Sequence, residues 1–308
     1  MLPFVSTYYP ATKVNRRLIG LDTHKHTVFV TELPEVHLPS QFSDDLRSIV
    51  RYRKSLGEEI TMIKNRVHAI LAGNGISVSA TDIFGRKDLR EIESGSQKLR
   101  TTERILMSDL LSRVSDLIEK EGAMEDQIAA MVADNEDVHL LMTIPGINLY
   151  SAACIISEID DISRFHSREK IASYAGLVPR QVQAGSVDRR GHITKHGPSM
   201  LRFILVNAAH TVIKYSKRMR SKYLSLVRRL GKNRSIVAVA KHLLEIIYTM
   251  LTQRTVFVDS IDRLTEKKMA AMSVRSRKPQ VIREIEEFLT ILRGKRLRKE
   301  SEEHFSWK

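Results

Sequence analysis

Asp22 is the first residue of the chain whose position suggests chemistry. It follows the short apolar run 18–21, and a second β-rich run at 27–31 completes the pattern of a two-stranded hairpin. A carboxylate at a strand end can hold a metal ion over a phosphodiester, but two-metal phosphoryl chemistry needs several carboxylates. An ordinary Asp in a turn is therefore the competing interpretation.

A second group of reactive residues surrounds three glycines, Gly185, Gly191 and Gly197. The side chains between and beside them are basic: Arg180, Arg189, Arg190, Lys195, His196 and Arg202. Because glycine lets a backbone approach a partner closely, the pattern predicts a basic loop that contacts phosphates.

The segment around Pro145-Gly146-Ile147 has the pattern of two helices joined by a tight turn. Apolar residues precede it from Val138, and small and apolar residues follow it as far as Ile156. In a helix-hairpin-helix, the unpaired amides at the start of the second helix bind a phosphate without reading sequence. A simple helical turn is the alternative, and Gly146 is the turn residue in both cases.

Positive charge is concentrated in one part of the chain. The whole sequence of 308 residues carries a formal charge of +14 with a pI near 9.9. Thirteen Lys and Arg lie between Ser186 and Arg234 against a single acid, Asp188, which gives this segment +12. Such a segment suits a polyanion better than small acidic substrates, and Lys232 and Arg234 at its end are expected to contact nucleic acid.

The single cysteine excludes a disulfide framework and a cysteine-rich zinc site. Cys154 lies among small and apolar residues, which indicates a buried structural thiol. The apolar runs are shorter than a membrane span and the first residues lack the pattern of a signal peptide, so we expect a cytoplasmic protein with no membrane partner.

Two long helical patterns must carry these groups. Apolar residues recur at the helical period from Leu46 to Leu71, after Ser43 as a plausible N-cap, and again from Ile105 to Met131. The arginines and lysines on the other face of the first helix are interpreted as solvated, with phosphate contact as the alternative. Two such helices joined by a spacer predict a coiled-coil arm that dimerises or packs on itself.

The run from Ile144 to Ala209 contains IPGI, YAGLVPR, GHITKHG and MLR in this order. This combination resembles the C-terminal domain of the IS110/IS1111 family of transposases. Residues 231–250 are similar to that family's ending, and residues 33–71 resemble the segment between its N-terminal nuclease-like domain and its coiled coil. The resemblance covers most of the chain from residue 18 to about residue 256.

The resemblance implies a DNA recombinase in which four acids of a RuvC-like domain, with Mg²⁺, work with a serine of the C-terminal domain. Asp22 matches the first acid and is the one metal ligand that the match supplies. The residues that hold the next three acids are missing between Val30 and Leu33, and Ala184 stands at the serine position. Ser186, two residues further on, is either a substitute nucleophile or a plain surface serine. These departures imply that the metal site is not intact and that catalysis is impaired.

The expected fold is mainly α, with a coiled-coil-like helical arm and a helical C-terminal domain that contains a helix-hairpin-helix-like motif. A short N-terminal β-hairpin is expected as a remnant of a ribonuclease-H-like domain. The expected domains are residues 1–33 for the RuvC-like strands, 34–135 for the arm, 136–256 for the transposase domain and 257–308 for a basic helical tail.

The expected function is that of an insertion-sequence transposase or site-specific recombinase with impaired catalysis. Its partners would be DNA at the element ends and target, an element-encoded structured RNA, and further copies of the chain. The alternative is a non-catalytic DNA- or RNA-binding remnant that dimerises and interferes with an intact transposase. A purely structural coiled-coil protein ranks last, because the charge is concentrated beside the hairpin motif.

Overall fold

The computed structural model describes residues 37–76, 99–184 and 187–276, without the side chains of 181–190. The predictions for Asp22, Ser186, the N-terminal β-hairpin and most of the basic tail lie outside these ranges. All described helices and strands belong to the unit that begins at Pro39.

Two long helices, α1 (Gln41–Gly73) and α2 (Thr101–Val132), confirm the two predicted apolar stripes. The N-cap of α1 is Ser40 rather than Ser43, because the Ser40 hydroxyl accepts the amide of Ser43. Arg53, early in α1, pairs with Glu125, late in α2, so the helices run antiparallel. Coiled-coil packing of this pair stays a prediction.

The C-terminal half of α1 and the N-terminal half of α2 bury an apolar cluster of their own. It is separate from the main core and consists of Ile60, Ile63, Val67, Leu71, Leu99, Met107, Leu110 and Val114. The period of the two helices places these side chains on facing stripes, so the pair extends beyond the main core with its own packing.

Seven further helices build the rest of the described structure. They are α3 (Glu136–Met142), α4 (Leu149–Ile159), α5 (Arg168–Tyr174), α6 (Ser199–Tyr215), α7 (Lys217–Leu230), α8 (Lys232–Gln253) and α9 (Asp262–Ser276), with a 3₁₀ turn at Ile162–Arg164. Side chains cap four of the starts: Asn135, Asn148, Ser167 and Ser216 each accept the amide three residues on.

A two-stranded antiparallel sheet occupies the segment predicted to be an irregular basic loop. Strand β1 (Pro179–Ala184) pairs with β2 (Val187–Ile193), from Ala184 opposite Val187 to Pro179 opposite Ile193. The register shifts by one residue between Pro179 and Gln181, which indicates a β-bulge. Mixed polar residues and an internal glycine hid these strands from the sequence pattern.

The main core is formed where α4, α6 and α8 meet, with contributions from the neighbouring helices. Cys154 of α4 is fully buried there, as predicted. Among the described helices, α8 alone is long and apolar enough to cross a membrane, and half of its most apolar stretch is buried in this core. The mainly helical fold, with one small sheet in the described residues, agrees with the sequence-based prediction.

Candidate nucleic-acid interface

The turn between α3 and α4 is packed directly onto α6. Gly146 has φ of +94° and is exposed, yet a Cβ at this position would lie 2.6 Å from the Cβ of Thr211 and 3.2 Å from the carbonyl oxygen of Ala208. Glycine is required here both for the positive φ and for this close contact. The predicted hairpin turn is therefore held beside the solvent face of α6.

The two glycine-containing segments that follow α5 and β2 lie backbone to backbone. A Cβ on Gly176 would be 2.1 Å from the carbonyl oxygen of His196, and one on Gly197 would be 1.9 Å from that of Tyr174. The amides of Thr194 and Lys195 donate to carbonyls of the opposite segment. The partner that Gly197 approaches is thus the chain itself, whereas Gly191 has room for a side chain.

Arg202 of α6 completes this contact. One of its guanidinium nitrogens donates to the carbonyl oxygens of Ala175, His196 and Gly197, at 3.1, 3.3 and 3.0 Å. The side chain predicted to contact phosphate therefore anchors the loop 194–197 to the start of α6. Lys195 and His196 stay exposed on the outside of that loop.

The cations from the last turn of α6 to the start of α8 are all exposed to solvent. They are Lys214, Lys217, Arg218, Arg220, Lys222, Arg228, Arg229, Lys232 and Arg234. None of these nine lies within 4.0 Å of a carboxylate oxygen of a described residue. We call this set the basic face.

The cations of α1 behave differently, and the prediction that they are all solvated is wrong. Arg47 and Arg51 lie 3.5 and 2.9 Å from the buried carboxylate of Glu158, and Arg53 lies 2.5 Å from Glu125. Arg53 also stacks on the ring of Tyr150 at 4.4 Å. These three arginines fasten α1 to α4 and α2, so carboxylates neutralise their charge, in contrast to the cations of the basic face.

The basic face also places charge against the helix dipole. The first turns of α7 and α8 contain no acid but carry Lys217, Arg218, Lys232 and Arg234. A cation at a helix start costs about 0.3–1 kcal/mol. Met219 is the buried residue of α7 that anchors it. These four cations are unfavourable at the helix starts, and an anion bound there would offset that cost.

The structure places the predicted site residues in two groups. Gly146, Lys195 and His196 border opposite parts of α6, and the exposed Lys232 and Arg234 begin α8. Arg180, Ala184, Arg189 and Arg190 lie in the two strands, with Arg180 exposed. Asp22 and Ser186 lie outside the described residues, so their predicted catalytic and metal-binding roles stay predictions.

The sequence reasoning missed a stripe of exposed residues on α6. Ser199, Phe203, Asn207, His210 and Lys214 follow one another at spacings of three or four, and all are exposed. Phe203 leaves 53% of its surface in solvent. A helical projection of this segment would have revealed Phe203 on the polar side.

Within residues 37–76, 99–184 and 187–276, no three His, Cys, Asp or Glu side chains come together to hold a metal ion. Burial raises the pKa of the Cys154 thiol to about 12, so it is no nucleophile. The described residues therefore offer no fit for a magnesium site.

Comparison with known proteins shows that part of this region matches the sequence profile of a transposase family. Residues 138–224 match the sequence profile described as "Transposase IS116/IS110/IS902 family". The chain is 26% identical over 222 residues to "Transposase for insertion sequence element IS1111A" of Coxiella burnetii, covering 69% of this chain and 60% of that protein. It is 27% identical to "Transposase for insertion sequence element IS1328" of Yersinia enterocolitica, covering 74% of this chain and 70% of that one.

A shorter similarity connects the chain to a protein with another described action. Over 126 residues it is 33% identical to the "Pilin gene-inverting protein" of Moraxella bovis, which covers 40% of this chain and 39% of that protein. The chain spans 60% and 64% of the length of the first two transposases that it matches, those of Coxiella burnetii and Pseudomonas aeruginosa.

Proposed function

We propose, from the premise that residues 138–224 of this chain belong to the IS116/IS110/IS902 family of transposases, that the protein binds DNA in the transposition of an insertion sequence. The basic face is the proposed contact surface for the phosphate backbone. The similarity to a gene-inverting protein supports site-specific recombination as the class of reaction.

The observation that carries this proposal is the contrast between two sets of cations. Arg47, Arg51 and Arg53 of α1 are bound by carboxylates, whereas the nine cations of the basic face are exposed without a described carboxylate partner. No Asp or Glu occurs in the sequence between Asp188 and Glu245. When clustered free cations neutralise the phosphates of a nucleic acid, the counterions condensed on it are released, and this release favours binding.

Salt dependence of binding tests the basic face. Each phosphate contact contributes about −0.9 to the slope of log affinity against log salt, so about six contacts give a slope near −5 on duplex DNA. Replacing Lys222 and Arg229 together by Gln should reduce the slope by about 2. Both residues lie on the exposed side of α7, seven positions apart.

A matched control removes the same charge elsewhere. Arg113→Gln with Lys120→Gln also changes two exposed cations seven positions apart, on α2. This pair should leave the slope unchanged. A flat salt response of the wild-type protein, or equal effects of the two double variants, would refute the basic face as the contact surface.

A second candidate function is favoured by one position. Ala184, at the last position of β1, stands where the resemblance expects a serine, and a methyl group cannot act as a nucleophile. The second candidate is a DNA- or RNA-binding remnant without catalysis, which dimerises and interferes with an intact transposase.

A strand-exchange assay on DNA carrying the element ends separates the two candidates. A remnant without catalysis, the second candidate, should bind this DNA but not recombine it. If the wild type recombines and either Asp22→Ala or Ser186→Ala abolishes the reaction, catalysis is intact and the second candidate is wrong. Titration of the wild type into a reaction with an intact relative tests interference, and the Lys222/Arg229 double variant, which should bind more weakly, should interfere less.

Four finer expectations belong to the same proposal. The bound nucleic acid includes a structured RNA encoded by the element, the active unit contains more than one copy of the chain, any remaining catalysis depends on Mg²⁺, and the protein acts in the cytoplasm. Gel filtration with light scattering, and recombination with and without Mg²⁺ or added RNA, test the first three.

A further inference from the structure

We propose that the exposed stripe of α6 binds an unpaired base, with Phe203 as the stacking platform. The inference rests on the proposed nucleic-acid function and deepens it, because it assigns contact with bases where the basic face assigns contact with phosphates. The stripe consists of Ser199, Phe203, Asn207, His210 and Lys214.

Phe203 presents a large aromatic side chain on the solvent side of α6. The residue is 53% exposed, whereas the opposite side of α6 is buried in the main core. Asn207 follows four positions later, one helical turn away, and His210 follows three positions after that. The three side chains therefore lie on one face over an axial distance of about 10 Å. Exposing an aromatic ring beside an amide and an imidazole offers both a stacking surface and hydrogen-bonding groups.

The neighbours of the stripe restrict what can occupy it. Thr211, next to His210, touches the turn at Gly146, and Arg202, next to Phe203, holds the basic loop of Lys195 and His196. Lys214 is the last residue of the stripe and the first residue of the basic face. A surface with free cations and no Asp or Glu on α6 or α7 complements a polyanion and repels a basic protein.

Base stacking on an aromatic ring is the recognition chemistry that combines with such charge. Every base has a π face, so stacking tolerates sequence, while Asn and His can donate to or accept from an exposed base edge. In a regular duplex the base faces are covered by their neighbours. The predicted ligand is therefore a nucleic acid with unpaired bases, either a DNA strand opened during exchange or an unpaired region of RNA.

Phe203→Ala tests the stacking platform on three probes of one mixed sequence: single-stranded DNA, single-stranded RNA and duplex DNA. Loss of one stacked base should weaken binding of a single-stranded probe about tenfold. Duplex affinity should change less than twofold, and the salt slopes should stay the same because no charge is removed. The more strongly affected of the two single strands identifies the source of the unpaired base.

Two further variants keep the result interpretable. Ile105→Ala removes an apolar side chain of similar exposure, 65%, from α2 and should leave all affinities unchanged. Phe203→Trp retains a stacking ring and should preserve binding. Replacing the natural tryptophan by Trp307→Phe in the same protein leaves the Phe203→Trp side chain as the source of tryptophan fluorescence. Single-stranded probes should quench this fluorescence, and the duplex should not.

The outcomes separate this inference from the function on which it depends. If Phe203→Ala leaves single-strand binding unchanged, or weakens duplex and single strand equally, the stacking role is refuted while DNA binding by the basic face stands. If the wild type binds none of the three probes, the proposed function itself fails. Quenching of the Trp variant by duplex alone would also overturn the inference.

Discussion

The carboxylate of Glu158 lies 2.9 Å from the guanidinium of Arg51, and the Glu158 side chain is only 4% exposed. Arg47 approaches the same carboxylate at 3.5 Å and also donates to the carbonyl oxygen of Ser157. A buried carboxylate held by two arginines fixes α1 against the end of α4.

Glu158→Gln should lower the free energy of unfolding by about 3 kcal/mol, because it removes the charge that Arg47 and Arg51 neutralise in a nearly buried site. Chemical denaturation followed by circular dichroism measures this change. The control Glu58→Gln alters an exposed pair with Lys54 and should cost less than about 1 kcal/mol. Equal effects of the two variants would contradict a fastening role for Glu158.

Gly197→Ala should destabilise the protein by about 3 kcal/mol or more, because the new methyl group meets the carbonyl oxygen of Tyr174 and the position has φ of +90°. Gly191→Ala in the same basic segment meets nothing closer than 3.6 Å and should change stability by less than about 1 kcal/mol. Thermal unfolding of both variants measures the difference. A ligand-contacting role for Gly197 would instead give a stable variant with weakened DNA binding.

Lys268 should make the protein more stable as the pH rises from about 8 to 10.5. Its ammonium donates to the carbonyl oxygens of Met142 and Ile144 at 2.6 and 2.8 Å, and burial lowers its pKa to about 8 from the ordinary 10.5. Between these values the unfolded chain holds one more proton than the folded chain, so the free energy of unfolding increases with pH. Below pH 8 both states are protonated and this group contributes no slope.

Lys268→Met isolates that contribution. The difference in unfolding free energy between wild type and variant should change by at most about 3 kcal/mol across the window and stay constant below it. Urea denaturation at a series of pH values provides the measurement. A difference that is independent of pH up to 10.5 would show that Lys268 keeps its ordinary pKa.

The thiol of Cys154 should report global unfolding. It is fully buried in the main core and burial raises its pKa to about 12, so both access and thiolate are lacking in the folded protein. Labelling by a thiol reagent should be negligible in native buffer and become complete in denaturant, with the midpoint of the circular dichroism transition. Rapid labelling of the native protein would contradict the burial of α4.

The helices that position the site were predictable because their apolar residues recur at the helical period. The apolar stripes of α1 and α2 were indicated in this way, and the same local logic indicated the turn at Gly146 and the basic segment that contains α7. These features depend on residues close together in the sequence.

The features that the sequence did not reveal depend on long-range contacts. Arg51 and Glu158 are 107 positions apart, so nothing in the pattern of α1 distinguished paired from solvated arginines. The pattern predicts that the loop with Gly197 approaches a phosphate, whereas Gly197 approaches Tyr174. Tyr174 belongs to another segment, so the residues around Gly197 in the sequence do not indicate this contact. The exposure of Phe203 follows from which side of α6 the core occupies, and that side is decided by α4 and α8.

The corner between α6 and α7 bears on how fast the proposed nucleic-acid ligand would bind. Ser216 is buried there, caps the amide of Met219 and is hydrogen-bonded to Asp259. The cations that follow Ser216 therefore lie on a helix that is already formed before a ligand binds. Association then requires little loss of backbone freedom, so encounters should convert to complexes at rates set by diffusion and electrostatic steering rather than by folding of the site.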